Sequence, residues 1–251
     1  MNNKITVPLR FVYVLIVVLF LFSCKNQKTE VTVCGTLHGY HKKNPEYSYQ
    51  SLYQFIETYN PDVIGVEIRT EDINSTFNFL SNYYPREMVE AANRFSDRKI
   101  YGVDWWNADI AGLKMSDEII SNVPNIAWER AYQADTIFLK RKPNIIDELF
   151  KKKIAIVADA SINEIVMGDY DSLNFRYYTE LGNFLINSPH EQLYRSYMER
   201  HEMIAQRMVN VVNENPGKKI MFLTGADHQV YAKMKLKDAF GSQIQLNAAF
   251  Q

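Results

Sequence analysis

The chain has 251 residues, two cysteines and a formal net charge of −1. Nothing in it is basic enough to imply a nucleic-acid partner. Its length is sufficient for one sizeable hydrophobic core.

Lys4 and Arg10 precede an uninterrupted apolar stretch over residues 11–22, followed by Ser23 and Cys24. The stretch is too short to span a bilayer and reads as a secretory signal over residues 1–23. Leu21-Phe22-Ser23-Cys24 resembles a lipobox. That resemblance makes Cys24 the lipid-modified first residue of a bacterial lipoprotein, anchored to a membrane of the cell envelope. Loss of Lys4 and Arg10 with the signal takes the formal charge to −3. With Cys24 lipidated, Cys34 has no disulfide partner, and its place inside an apolar run marks it as core. Residues 24–29 form a polar tether, and 30–251 read as one domain.

Five short apolar or β-branched runs, 31–34, 63–66, 100–103, 220–223 and 244–246, read as strands. Tyr49, Leu52, Tyr53, Phe55 and Ile56 make a helical face before the second run, and Ile73, Phe77 and Leu80 lead towards the third. Alternating strand and helix predicts the α/β class, with a mostly parallel central sheet flanked by helices. From about 106 to 189 the strand signal disappears. Residues 108–120, 128–139, 145–154 and 155–167 are predicted helical, a helical insert between the third and fourth strands that serves as a lid. A further helix over 190–213 carries the stripe Leu193, Tyr197, Ile204, Met208 and Val211. Arg200 and His201 fill the one seven-residue gap in that stripe.

In open α/β sheets, ligands bind outside the carboxyl ends of the strands. Here those ends read Gly35-Thr36-Leu37-His38, Glu67, Asp104 and Gly225-Ala226-Asp227-His228. Taken singly, each has an ordinary explanation: an acid after a strand is commonly a helix N-cap, the role expected for Asp227. The coincidence of His38, Glu67 and His228 on one edge argues for a site. Arg200 faces inward and must find an anion, either Glu67 or Asp104 or the oxygen of a substrate, and the substrate role is the expectation. Trp105-Trp106 and Phe175-Arg176-Tyr177-Tyr178 read as core, with an apolar cleft wall as the alternative.

The segments GTLH, PDVIGVE, ERHEMIAQRM and FLTGADH together resemble the TraB/Tiki superfamily of GxxH proteins, which includes erythromycin-esterase-like enzymes and haem-binding ChaN-like lipoproteins. The similarity covers residues 31–67 and 199–231. It implies an active centre made of the two motif histidines, an acid after the second strand and an Arg on the helix before the last GxxH strand. These fall on His38, His228, Glu67 and Arg200. The chain departs from the Tiki-like pattern at His201, often Asn there. It lacks the Glu that the erythromycin-esterase pattern has before its first histidine, where Gly35 or Thr36 stands.

Two histidines and a carboxylate suit a divalent metal of the Mn, Co or Zn type that keeps an open position for water. The expectation is therefore metal-assisted hydrolysis of a peptide or small ester, with His38, Glu67 and His228 as ligands and Arg200 at the oxyanion. The erythromycin-esterase resemblance implies a metal-free variant in which His38 activates water, oriented by Glu67. The ChaN-like resemblance implies haem carriage, with Tyr40 and His41 as axial ligands. No Gly-x-Ser-x-Gly elbow is present, so acyl-enzyme chemistry is not expected.

Overall fold

The structure is a computed structural model that describes residues 28–246; the apolar leader and Cys24 lie outside the described residues. Five strands, β1 (Thr29–Thr36), β2 (Val63–Arg69), β3 (Lys99–Asp104), β4 (Lys219–Gly225) and β5 (Ile244–Leu246), form one sheet in the order β3-β2-β4-β1-β5. Every neighbouring pair is parallel. All carboxyl ends therefore emerge on one edge, as the alternating pattern predicts.

Strand side chains alternate between two apolar layers. On one face Val31, Val33, Val63, Ile220 and Phe222 pack against Ile204, Met208, Val212, Ala232 and Leu236. These come from α10 (Glu191–Glu214) and α11 (Ala226–Phe240). On the other, Cys34, Ile64, Val66, Ile68, Met221 and Leu223 meet Leu52, Ile56, Met88, Ala91 and Ile165. Those residues belong to α1 (Tyr49–Tyr59), α3 (Arg86–Arg94) and α8 (Ile162–Met167). Burial on both faces explains why the strands read as continuous apolar runs. Local caps fix the boundaries. The Ser48 hydroxyl accepts the Ser51 amide at the start of α1, and Asn60 ends that helix in the left-handed region.

Between β3 and β4 every regular element described is helical: α4 (Asp117–Asn122), α5 (Pro124–Ala134), α6 (Thr136–Leu139), α7 (Asn144–Asp159), α8, α9 (Tyr170–Leu185) and α10. The predicted boundaries need correction. The helix expected over 108–120 is reduced to a 3-10 turn at Ala108–Ile110, because Gly112 adopts φ +81 and a new helix starts where Ser116 caps Ile119. The helix expected over 128–139 breaks at Asp135, whose carboxylate accepts the Phe138 amide. No break separates 154 from 155. Ile146, Leu149, Lys153 and Val157 continue one buried stripe, and α7 ends only before Ser161, which forms a capping box with Glu164. A short α2 (Phe77–Tyr83) precedes α3. Among the described residues no helix is long and apolar enough to cross a membrane.

Candidate active site

His38 opens a 3-10 turn directly after β1 and has φ 50, a strained conformation for a residue with a side chain. Its Nδ1 donates to Glu87 Oε1 at 2.7 Å. Glu87 stands in the first turn of α3, is fully buried, and also accepts the Thr36 hydroxyl at 3.2 Å. With Nδ1 donating, Nε2 is the atom left to exchange a proton with a ligand. Burial pulls the imidazole pKa down, but the Glu87 hydrogen bond and the charges of Glu67 and Glu87 outweigh it and raise it above 6.5. This is a histidine–carboxylate dyad whose acid was not among the expected residues. Glu87 did carry a signal: it shares the apolar face of its helix with Met88 and Ala91, where an acid needs a partner.

Glu67 does not orient His38. Its Oε1 accepts Arg200 Nη2 at 3.0 Å, and its Oε2 accepts the Thr224 hydroxyl at 2.8 Å and the Gly225 amide at 2.5 Å. Asp104 Oδ1 takes the same Arg200 Nη2 at 2.8 Å, while its Oδ2 accepts the Trp106 indole at 2.6 Å. Arg200 thus bridges both acids, and the ion pair weighed from sequence is present. A register shift between β2 and β3 over Val66/Arg69 places an extra residue in β2 at this point, a common way to re-aim side chains beside a site. Burial would raise Glu67, yet the neighbouring histidines, Arg200 and the Gly225 amide hold its carboxyl down to about 2. Asp104 is raised instead, by burial and by the Glu67 charge, against the opposing pull of Arg200.

His228 and His201 share a hydrogen bond between their Nδ1 atoms at 2.8 Å. Burial holds both neutral: His228 falls to about 4 and His201 well below 6.5. One Nδ1 must carry the hydrogen. If it were that of His228, the Nε2 lone pair would face Glu67 Oε1 across 3.7 Å, and His201 would hold a buried Nε2–H without an acceptor. If His201 donates, an unpaired lone pair remains on His201 Nε2, which is less costly than an orphaned donor, and His228 carries Nε2–H. The second arrangement is favoured. Its N–H is 3.7 Å from Glu67, too far for a hydrogen bond, and is therefore free to serve a ligand.

Asp227 is not the helix cap expected. Gly225 occupies that position, and the Asp227 carboxylate accepts Lys153 Nζ at 2.9 Å and the hydroxyls of Tyr170 and Tyr178 at 2.7 and 3.1 Å. His41 is buried with both nitrogens engaged: Nε2 accepts the Leu37 amide and Nδ1 donates to the Tyr47 carbonyl. Haem ligation through Nε2 would have to break the bond from the Leu37 amide and uncover a buried ring, so His41 does not fit the axial role; Tyr40 is exposed on the same turn. Trp105 is core, whereas Trp106 is half-buried and lines the cleft. Burial pushes the Cys34 thiol up to about 12, consistent with a packing role.

His38, Glu67 and Arg200 form a septum between two hollows. The first, about 330 Å³, also takes in His201, His228, Asp227 and residues of α7 and α9. The second, about 410 Å³, lies towards Asn82, Tyr84, Asp104 and Trp106. Gly225 floors the septum: a Cβ there would lie 2.7 Å from His38 Nε2 and 3.4 Å from Glu67 Oε2. The five expected residues His38, Glu67, Asp104, Arg200 and His228 therefore do meet.

The fold and this edge define an α/β protein with a parallel five-stranded sheet and a histidine–acid–arginine cleft. No family model, curated protein or solved structure matches the chain. The donor set fits a metal poorly. Both Glu67 oxygens already accept hydrogen bonds, Arg200 occupies the cation's place beside them, and His228 favours a protonated Nε2.

Proposed function

We propose that the chain is a hydrolase of ester or amide bonds that activates water with the His38–Glu87 dyad. The observation that carries this reading is the 2.7 Å bond from His38 Nδ1 to a fully buried carboxylate, which leaves Nε2 over the cleft floor as the base. Water gives a proton to His38 Nε2 as its oxygen bonds to the substrate carbonyl carbon. The oxyanion that forms is met by His228 Nε2–H; Arg200, already paired with Glu67 and Asp104, adds no net positive field there. His38 then returns its proton to the departing alcohol or amine, releasing a carboxylic acid. Glu67 and Asp104 hold Arg200 in position, a role different from the metal-ligand or base-orienting role expected for Glu67.

Because the base must be neutral, activity rises with pH through the elevated His38 pKa. A lipid at Cys24 would tether the amino edge of the sheet to a membrane. Residues 29–36 then run roughly 25 Å to the cleft, at about 3.3 Å per residue. The test is hydrolysis of a panel of small esters and amides in EDTA. His38→Asn, chosen because Asn tolerates positive φ, and Glu87→Gln should each lose about 100-fold or more. Undiminished turnover in both variants would refute the dyad. Activity that requires an added divalent ion would return the site to metal-assisted chemistry.

A further inference from the structure

The two hollows differ in what they offer a ligand. In the first, away from His201 and His228, the polar groups satisfy one another: Asp227 binds Lys153, Tyr170 and Tyr178. What remains facing inward is Leu37, Ile154, Val157 and aromatic surface, with Phe150 and Tyr40 at the rim, 48% and 41% exposed. The second hollow is lined by the exposed Asn82, by Trp106 and by Glu67 and Asp104, and is polar. His228, whose Nε2–H must reach the carbonyl oxygen, lines the first hollow and not the second. His38, which protonates the leaving group, lines both.

We propose that the substrate carries an apolar acyl group, aryl or short alkyl, seated between α7 and α9, and a polar alcohol or amine leaving group directed towards Asn82 and Trp106. The assignment rests on the hydrolase reading for the direction of the bond, and on the lining alone for the apolar seat. At roughly 30 Å³ per water-sized group, 330 Å³ holds about ten non-hydrogen atoms, the size of a phenylpropanoyl group.

The experiment compares two neutral probes, 3-phenylpropionamide and propionamide, by calorimetry on purified His38→Asn protein, chosen to slow any turnover of the probes. The phenyl probe is expected to bind at least tenfold more tightly. Ile154→Trp, which fills the seat, should remove that preference, and Phe150→Ser at the exposed rim should weaken it several-fold without threatening the fold. Equal affinity for the two probes, or a preference unchanged in both variants, overturns the proposal. Selective binding together with no hydrolysis of any ester or amide sinks the hydrolase reading and leaves the apolar seat standing. Hydrolysis without preference for an aryl or alkyl chain sinks the substrate class alone.

Discussion

Replacing Glu87 by Gln keeps the shape of the side chain and removes its charge. The bond to His38 then changes from a charge-assisted one, worth about 1.5–3 kcal/mol, to a neutral one worth about 0.5–1.5. The difference, about 1–1.5 kcal/mol, corresponds to roughly one pH unit. The His38 side chain is 42% exposed, so solvent screening favours the lower end of that range. The sign follows from linkage. The folded pKa of His38 lies above the 6.5 of the free side chain. Its charge therefore stabilises the fold fully below about 6.5, and this contribution is lost as pH rises through the folded value. In Glu87→Gln, the His38 Cε1–H resonance should titrate about one unit lower. The deficit in melting temperature against wild type should be greater at pH 5.5 than at pH 8.5, by roughly 2–4 °C. A His38 titration midpoint identical in the two proteins would refute the account of what Glu87 does.

Three further outcomes follow from the same geometry. Gly225→Ala should cut turnover by more than tenfold with a modest effect on the melting temperature, because its Cβ would displace His38 Nε2 from 2.7 Å; wild-type kinetics would mean that the imidazole is not poised there. Asp227→Asn leaves buried Lys153 without its anion. It should cost about 2 kcal/mol, less than the roughly 3–5 of a fully buried pair because the Asp227 side chain is 40% exposed, and Lys153→Met in the same protein should restore part of the loss in a urea melt; strictly additive losses would count against the clamp. His201→Phe preserves the stack on Tyr231, now at 4.1 Å, but removes the donor to His228. Long-range ¹H–¹⁵N spectra should show His228 as the Nε2–H tautomer in wild type and as a mixture in the variant, and a wild-type spectrum dominated by Nδ1–H would reverse the assignment.

The sheet was legible because parallel strands buried on both faces must be apolar throughout, and all five runs proved to lie in strands. The strand ends were legible for the same reason: a charged or imidazole residue stands out after Val33-Cys34-Gly35 or Phe222-Leu223-Thr224. The pairings within the site were not. Glu67 and Glu87 are both acids near His38 in space, and which one holds the ring depends on the direction taken by α3, a tertiary fact no local pattern encodes. Asp227 looked like a cap because acids at helix starts usually are. Its real partners, Lys153, Tyr170 and Tyr178, come from α7 and α9, more than fifty residues from it along the chain except Tyr178, at forty-nine. The helices between β3 and β4 misled at their boundaries because propensity alone weighed Gly112 and Asp135 too lightly against their periodic neighbours.

The three cleft histidines occupy one edge yet are driven apart electrically. His38 is raised by a buried carboxylate, while His228 and His201 are lowered by burial with no anion in hydrogen-bonding contact. Environments that separate the pKa values of like groups suit them to different chemical roles, on the proposed reading a base at His38 and a neutral donor at His228. One proton then separates the two readings of the site. With hydrogen on Nε2, His228 serves an oxyanion. With hydrogen on Nδ1, its Nε2 lone pair and Glu67 Oε1, 3.7 Å apart, present a gap for a cation. The second state leaves His201 Nε2–H buried without an acceptor, a cost of about 1–3 kcal/mol, and the incoming ion must also displace Arg200 from Glu67. Both penalties fall on metal binding and neither on the dyad, which is why the geometry favours water activated by His38.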